Sequence, residues 1–352
     1  MEQKRFNFNG LINRVNEFNK NNNFNQKQNI MKKSILLLAV AASFAACTQN
    51  EEINDAISQQ EIKFDQVLNK TTKAEIVDKA TLATEGGFVV YGKKTPNAGG
   101  DAYWVFNGTA VKSTDGNSWS YTGTQYWDKV ATYNFYAAAP AEGNIAFNKS
   151  TGMFTFSNVA WGTSTGIEND YLVDRDGATV NAATADLSNA VGFDFHHVMA
   201  KVDFKVATTI EGVTINKLVM KGWNAGLGTF VQKEAATPNT IDYSEWDFAT
   251  TADGYVTVSS TSTPIEKGAE AAYGETYIMV PQNLEALQFV VDYKIGNEPF
   301  VNQPVTLKSV WGTDSHVTYT LNIGGGANPI LFTVNSVCGF DVNDNEDVTV
   351  NP

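Results

Sequence analysis

Residues 201–206 read KVDFKV, so Val202, Phe204 and Val206 alternate with Lys201, Asp203 and Lys205. Residues 316–323 repeat the pattern as HVTYTLNI, with Val317, Tyr319, Leu321 and Ile323 alternating with Thr318, Thr320 and Asn322. Successive side chains of an extended strand point to opposite faces, so this period of two marks strands with one buried and one wet face. Outward from these, similar short runs occur at 88–91 (FVVY), 103–106 (YWVF), 132–136 (TYNFY), 153–156 (MFTF), 213–219 (VTINKLV), 276–280 (TYIMV), 287–293 (LQFVVDY) and 330–334 (ILFTV). Clusters of Gly, Asn, Asp and Pro separate them at the spacing of a β-sandwich. No long segment carries helical apolar periodicity, and short helices are expected only around 75–83 and 283–287. The sequence therefore predicts an all-β chain.

With 352 residues, 43% of them hydrophobic, the chain can bury a sizeable core and is too apolar to be disordered. About 300 residues of short strands exceed one comfortable sandwich. Two tandem β-sandwich domains are expected, at 74–192 and 193–352. The net charge of −13 disfavours a general nucleic-acid binder, because phosphate backbones repel acidic surfaces. Three His and two Cys, at Cys47 and Cys338, leave little for a metal centre, a Cys–His pair or a disulfide framework. Neither a metal nor a cofactor is expected.

Residues 31–46 read as a signal peptide. Met31, Lys32 and Lys33 form a short basic region, an apolar ILLLAVAA stretch follows Ser34, and Ser43, Phe44, Ala45 and Ala46 lead to Cys47. Small residues directly before a cysteine resemble the lipobox of bacterial lipoproteins, in which the new N-terminal Cys carries lipid. Phe44 departs from that pattern, which usually has Leu there. Residues 1–30 are rich in Asn, Lys and Phe and are set apart as either a non-native stretch, with the true start at Met31, or a dispensable leader. Residues 1–46 hold seven Lys/Arg and two Glu, so their removal leaves 18 basic and 36 acidic residues, a net −18, with Arg175 the sole arginine. Such a surface suits anionic substrates poorly. Residues 48–60 are polar and acidic, as a tether is.

Motifs with chemistry in them are weak. Residues 162–166 match G-x-S-x-G but lack the following helix that a nucleophile elbow needs. Asp174, Arg175, Asp176 and Gly177, and the acidic stretch from Asp341 to Asp347, lack the spacing of a calcium loop. His196 and His197 are neighbours on a strand, so they face opposite sides and cannot share a metal. His316 has no visible partner. Gly324, Gly325 and Gly326 read as a turn. Of seven Trp, Trp119 and Trp161 lie in polar, loop-like contexts and are the better candidates to stack on sugars. A carboxylate glycoside hydrolase needs two facing acids, which the sequence does not pair. No catalytic residue is assigned.

The ordered segments resemble the fimbrillin family, lipoprotein subunits of type V pili of Bacteroides-type bacteria. The matching features are the lipobox, Glu61-Ile62-Lys63-Phe64, Thr72-Lys73-Ala74, FVVYG at 88–92, and Tyr126-Trp127 followed by YNFYA at 133–137 and Pro140. They continue with FHHVMAKV at 195–202, Val280-Pro281-Gln282, Trp311, HVTYTLNI at 316–323, and residues 329–337. The resemblance implies two transthyretin-like β-sandwiches, no enzyme activity, and a lipidated (palmitate-bearing) Cys47 in the outer membrane. It further implies a tether and removable strand within 47–73, with Ile62, Phe64 and Leu68 on one face, and cleavage between Lys73 and Ala74 by a maturation protease. The family's processing follows Arg, whereas this chain has Lys at the site. A strand of the next subunit would then fill the groove, and Val348 and Val350 mark the candidate donor strand in the tail. Other fimbrial subunits, the lipid bilayer and a host or bacterial surface receptor are the implied partners, and a cell-surface fimbrium serving adhesion is the implied setting. A monomeric surface glycan-binding lipoprotein is the alternative.

Overall fold

β-Branched and aromatic residues at period two pack well on a pleated, half-buried surface. A computed structural model describes residues 60–68, 79–84, 86–163, 170–174, 177–233, 245–324, 330–338 and 348–350. The first part of the chain forms β1 (Phe64–Leu68), α1 (Lys79–Thr84), β2 (Phe88–Pro96), β3 (Tyr103–Lys112), β4 (Ser120–Tyr121), β5 (Ala131–Ala139), β6 (Ile145–Asn148), β7 (Met153–Val159), β8 (Gly162–Thr163), β9 (Leu172–Asp174), β10 (Ala178–Asn181) and β11 (Val191–His197). It continues with β12 (Ala200–Thr208), β13 (Val213–Asn224), β14 (Gly228–Val231), β15 (Trp246–Phe248), β16 (Asp253–Ser259), β17 (Thr263–Ile265) and β18 (Glu270–Ala272). The last strands are β19 (Tyr277–Met279), β20 (Gln282–Ile295), β21 (Val301–Trp311), β22 (Ser315–Ile323), β23 (Ile330–Cys338) and β24 (Val348–Val350). The expected all-β class is the observed one.

The first sheet runs β1-β11-β9-β5-β2-β3-β4, with β10 also on β5. It curls so that its two ends face one core: Phe64 of β1 lies 5.5 Å from the ring of Tyr121 of β4. That core holds Ile62, Phe64, Phe88, Phe106, Phe135 and Phe193, with Leu82 of α1.

The second sheet runs β24-β23-β22-β12-β19-β8, with β18 on β12. The third runs β16-β13-β20-β21, with β17 on β13. Their facing residues make a second core that includes Val202, Phe204, Phe289, Trp311, Tyr319 and Phe332. The alternation at 202–206 and 317–323 thus points one face inward, and β12 and β22 pair in parallel with Val202 opposite Val317. One set of buried polar groups is matched there: the Trp311 indole N–H donates to the Tyr319 hydroxyl at 3.0 Å, and the Ser309 hydroxyl lies 2.6 Å from that same oxygen.

A fourth sheet, β15-β14-β7-β6, joins strands from both parts of the chain. Its Phe154, Phe156, Phe230 and Trp246 pack with Val89, Ala138 and Val173 of the first sheet and Ile278 of the second.

Two expectations need correction. The boundary at 192/193 falls inside β11, which stays in the first sheet through its pairing with β1 and β9. The apolar alternation continues unbroken through β11, and the chain leaves that sheet only after His197, so no change of composition marks the seam. The segment 283–287, expected as a helix, lies in β20. Leu284 and Leu287 are both buried despite their helix-like spacing of three, because a register shift against β21 falls between them. The helix expected at 75–83 is represented among the described residues by α1.

Candidate functional site

The segment from Gln60 to Leu68 enters the first core in a manner its sequence only half discloses. Ile62 is fully buried and Phe64 nearly so, at 0% and 3% exposed. The Phe64 ring fits a box of four rings. It meets Phe106 edge-on at 5.0 Å and Phe135 edge-on at 5.6 Å, tilts against Tyr121 at 5.5 Å and stacks on Phe193 at 5.7 Å. Burying side chains of this size contributes about 1.5–3 kcal/mol each. Aromatic pairs add roughly 0.5–1.5 kcal/mol in such offset or edge-on geometries.

The backbone of the segment is held from two sides. On one, the Ile62 amide donates to the Gln125 carbonyl and the Trp127 amide donates to the Gln60 carbonyl, both at 2.9 Å. On the other, the Val191 amide donates to the Lys63 carbonyl at 2.8 Å. The Tyr121 hydroxyl donates to the Ile62 carbonyl at 2.7 Å and accepts from the Gln125 amide at 3.2 Å. Burial pushes the Tyr121 phenol above its ordinary range, which keeps it a donor. Beyond Lys63, β1 runs parallel to β11, from Phe64 opposite Val191 to Leu68 opposite Phe195, as the end strand of its sheet.

Of the residues singled out in the sequence, Ile62, Phe64 and Leu68 therefore lie on one segment. Cys47, Lys73 and Ala74 lie outside the described residues. Val348 and Val350 lie on β24, opposite Val334 and Phe332, at the far end of the second sheet. The sequence reading missed Tyr121, Gln125, Phe106, Phe135 and Phe193 as partners of the segment. Trp127 was noted as part of a motif without a role. Nothing local could have revealed Tyr121, since its bond to Ile62 joins distant parts of the chain.

The remaining candidates carry structural roles. The adjacent His196 and His197 reach different aspartates: His196 Nδ1 lies 3.1 Å from Asp314 Oδ2 and His197 Nδ1 lies 3.0 Å from Asp170 Oδ1. His316 Nε2 lies 2.7 Å from Asp203 Oδ2. Burial alone would raise the Asp203 carboxyl, but its hydrogen bonds with His316 and Thr276 outweigh burial and hold it below the ordinary carboxylate range. Trp119 is half-buried on Phe88 and its indole donates to the Gly116 carbonyl at 3.2 Å. Trp161 is half-buried edge-on to Trp223 at 4.8 Å. Both are partly buried and pack against the cores. Gly162 and Thr163 form β8, while Ser164 lies outside the described residues. Asp174 Oδ1 accepts from the Gly177 amide at 3.2 Å in a turn. The stretch from Asp341 to Asp347 is outside the described residues. Among the described residues, no group of three or more His, Cys, Asp and Glu is placed to hold a metal. No helix among them is long and apolar enough to cross a membrane.

What the geometry does chemically is hold an extended strand: four backbone contacts that read no side chain, and two apolar plugs that do. Residues 72–339 match the fimbrillin-like family. The chain belongs to that family.

The match starts downstream of β1, so the fimbrillin-like region and the plugging segment are separate stretches of sequence. This fimbrillin-like chain is similar to a fimbrial protein from Bacteroides vulgatus ATCC 8482, at 17% identity and a TM-score of 0.49, over 80% of this chain and 99% of that one. It is also similar to a candidate cell adhesion protein from Bacteroides uniformis ATCC 8492, at 13% identity and a TM-score of 0.44, over 79% and 98% of the two chains. A third, from Bacteroides ovatus ATCC 8483, shows 17% identity and a TM-score of 0.40 over 81% and 98%. No curated protein matches the chain. The fimbrillin-like family is a fimbrial and adhesion family, not an enzyme family.

Proposed function

We propose that this chain is a structural subunit of a cell-surface fimbria (a type V pilus) that serves adhesion. It is exported as a lipoprotein, anchored to the outer membrane through Cys47, and assembled by strand exchange after a protease cuts between Lys73 and Ala74. The observation that carries this reading is the placement of the first strand. Segment 60–68 plugs the first core with Ile62 and Phe64, yet β1 is an end strand that, among the described residues, pairs in its sheet with β11 alone.

Losing that strand would open the ring box and bare the edge of β11 that faces β1, from Val191 to Phe195. An apolar groove beside an open strand edge is a template for another chain. An incoming strand restores both the backbone bonds and the plugs. A contact between the groove of one subunit and the tail of the next is head-to-tail, so it builds a filament rather than a closed ring. Among the described residues, the tail strand β24, with Val348 and Val350, pairs with β23 at the end of the second sheet. Partners on this reading are related fimbrial subunits, the maturation protease, the bilayer and a surface receptor.

The test is intact mass and N-terminal sequencing of the protein from cell-surface material, beside a non-boiled gel. An N-terminus at Ala74 with a ladder of stable oligomers is expected. A lipidated Cys47 N-terminus with monomer alone would overturn strand exchange for this chain.

A further inference from the structure

We infer that residues 121–127 form a clasp that fixes the register of any strand in this groove, with Tyr121 as its positioning residue, and that the groove takes a strand from a different subunit carrying an aliphatic residue followed two positions later by an aromatic one. The inference rests on the strand-exchange reading above.

The argument starts from what each contact can read. The Gln125 carbonyl, the Trp127 amide and the Tyr121 hydroxyl bind the backbone at residues 60 and 62, so they accept any sequence in one position along the groove. The side-chain sites are then fixed relative to the clasp. The site at residue 62 is closed to solvent around an aliphatic side chain, and the site at residue 64 is walled by Phe106, Tyr121, Phe135 and Phe193. A strand slipped by one residue would turn both plugs to the opposite face. Tyr121 serves both functions, since its ring is one wall of the box and its hydroxyl is the clasp. The direction is set as well, because β11 pairs in parallel with the present occupant.

The chain's own tail fits these sites poorly. Residues 339–352 read GFDVNDNEDVTVNP. Val348 and Val350 have the right spacing, but a valine in a box shaped for phenylalanine leaves a void, which is costly in a close-packed core. Phe340 precedes its aliphatic neighbour Val342 instead of following it. The occupant this groove favours is therefore a strand from another subunit.

The test uses the full-length chain with a specific protease site inserted between Asn69 and Lys70, cut after folding. Fluorescent peptides are then exchanged in and their release is timed. A peptide of residues 61–69 (EIKFDQVLN), N-acetylated so that the acetyl carbonyl stands in for that of Gln60, is expected to be retained. Replacing its Phe by Ala, or moving the Phe by one position, is expected to speed release more than a hundredfold, the scale of losing a buried aromatic side chain. The tail peptide DVTVNP is expected to be released as fast as the shifted one. Tyr121→Phe should speed release of every retained peptide by a similar factor, about three- to tenfold for one hydrogen bond. A thioamide in place of the Ile62 carbonyl, a weaker acceptor, should speed release from the wild type and lose that effect in Tyr121→Phe, which a general loosening of the core would not produce. Equal retention of the tail and 61–69 peptides, or a thioamide effect that survives in Tyr121→Phe, overturns this inference and leaves strand exchange standing. Failure of the 61–69 peptide itself to exchange overturns both. Should Tyr121→Phe not fold, the shifted-Phe and tail peptides on the wild-type chain still decide register and partner.

Discussion

The ring of Phe64 stacks on that of Phe193, with centroids 5.7 Å apart and planes at 26°, across two neighbouring strands that run in the same direction. Phe193 sits opposite Gln66, so the stacking is diagonal and draws the segment's first residues over the core. One pair thus ties the start of the described chain to the strand that ends the first part of the fold.

Phe64→Ala should cost the full-length chain about 3–5 kcal/mol, the range for emptying a buried aromatic site. Tyr255→Ala, at a ring that is 57% exposed, should stay within about 0.5 kcal/mol. Urea unfolding followed by tryptophan fluorescence measures both. An unchanged midpoint for Phe64→Ala would mean that the segment is not part of the cooperative core.

Gly92 tests the same box from its other wall. A Cβ added there would lie 2.7 Å from Phe106 Cδ2 and 2.9 Å from Phe135 Cδ1, closer than packed atoms allow. Both rings also hold Phe64. Gly92→Ala should destabilise the chain by about 1–3 kcal/mol through overpacking. Combined with Phe64→Ala, the cost should fall short of the sum, because the vacated space lets the rings shift. Strict additivity in the double variant would count against a shared box.

The Asp203–His316 pair predicts a pH dependence. The folded Asp203 carboxyl lies below its ordinary value despite burial, because of its hydrogen bonds with His316 and Thr276. Its stabilisation is therefore fully present above the unfolded carboxylate value of about 3.9 and fades as pH falls through the lower folded value. Asp203→Asn should lose about 1–3 kcal/mol at neutral pH, the scale for a buried partner left unmatched. The difference from wild type should shrink as both are acidified below that range. Urea midpoints across a pH series are the measurement, and a gap that widened on acidification would reverse the assignment.

Export and processing make a separate prediction in cells. Cys47→Ser should move the protein from the membrane fraction to soluble material, as loss of a lipid anchor requires. Lys73→Ala should leave an uncut chain and reduce the oligomer ladder while leaving membrane retention intact. Fractionation with immunoblotting separates the two, and membrane retention of Cys47→Ser would remove the anchor from the scheme.

The fold class was legible because it is a local property. Val202, Phe204 and Val206 declare a strand wherever that strand ends up, and the pattern at 317–323 does the same for its parallel neighbour. The basic, apolar and small-residue run before Cys47 is equally local. The misreadings arose where pairing overrode local pattern. Leu284 and Leu287 mimic a helical face because a shift in register lies between them, and β11 keeps its alternation on both sides of the expected boundary.

By itself, the sequence determined that this chain is built of half-buried strands, that Ile62 and Phe64 share a face, and that Cys47 follows an export-like segment. Only the tertiary structure decided what that face meets. The box of Phe106, Tyr121, Phe135 and Phe193, and the hydroxyl that holds the Ile62 carbonyl, come from four separate strands. A period of two records which way a side chain points, but the neighbour it finds depends on strand order and register, which are set by the burial of the whole core at once.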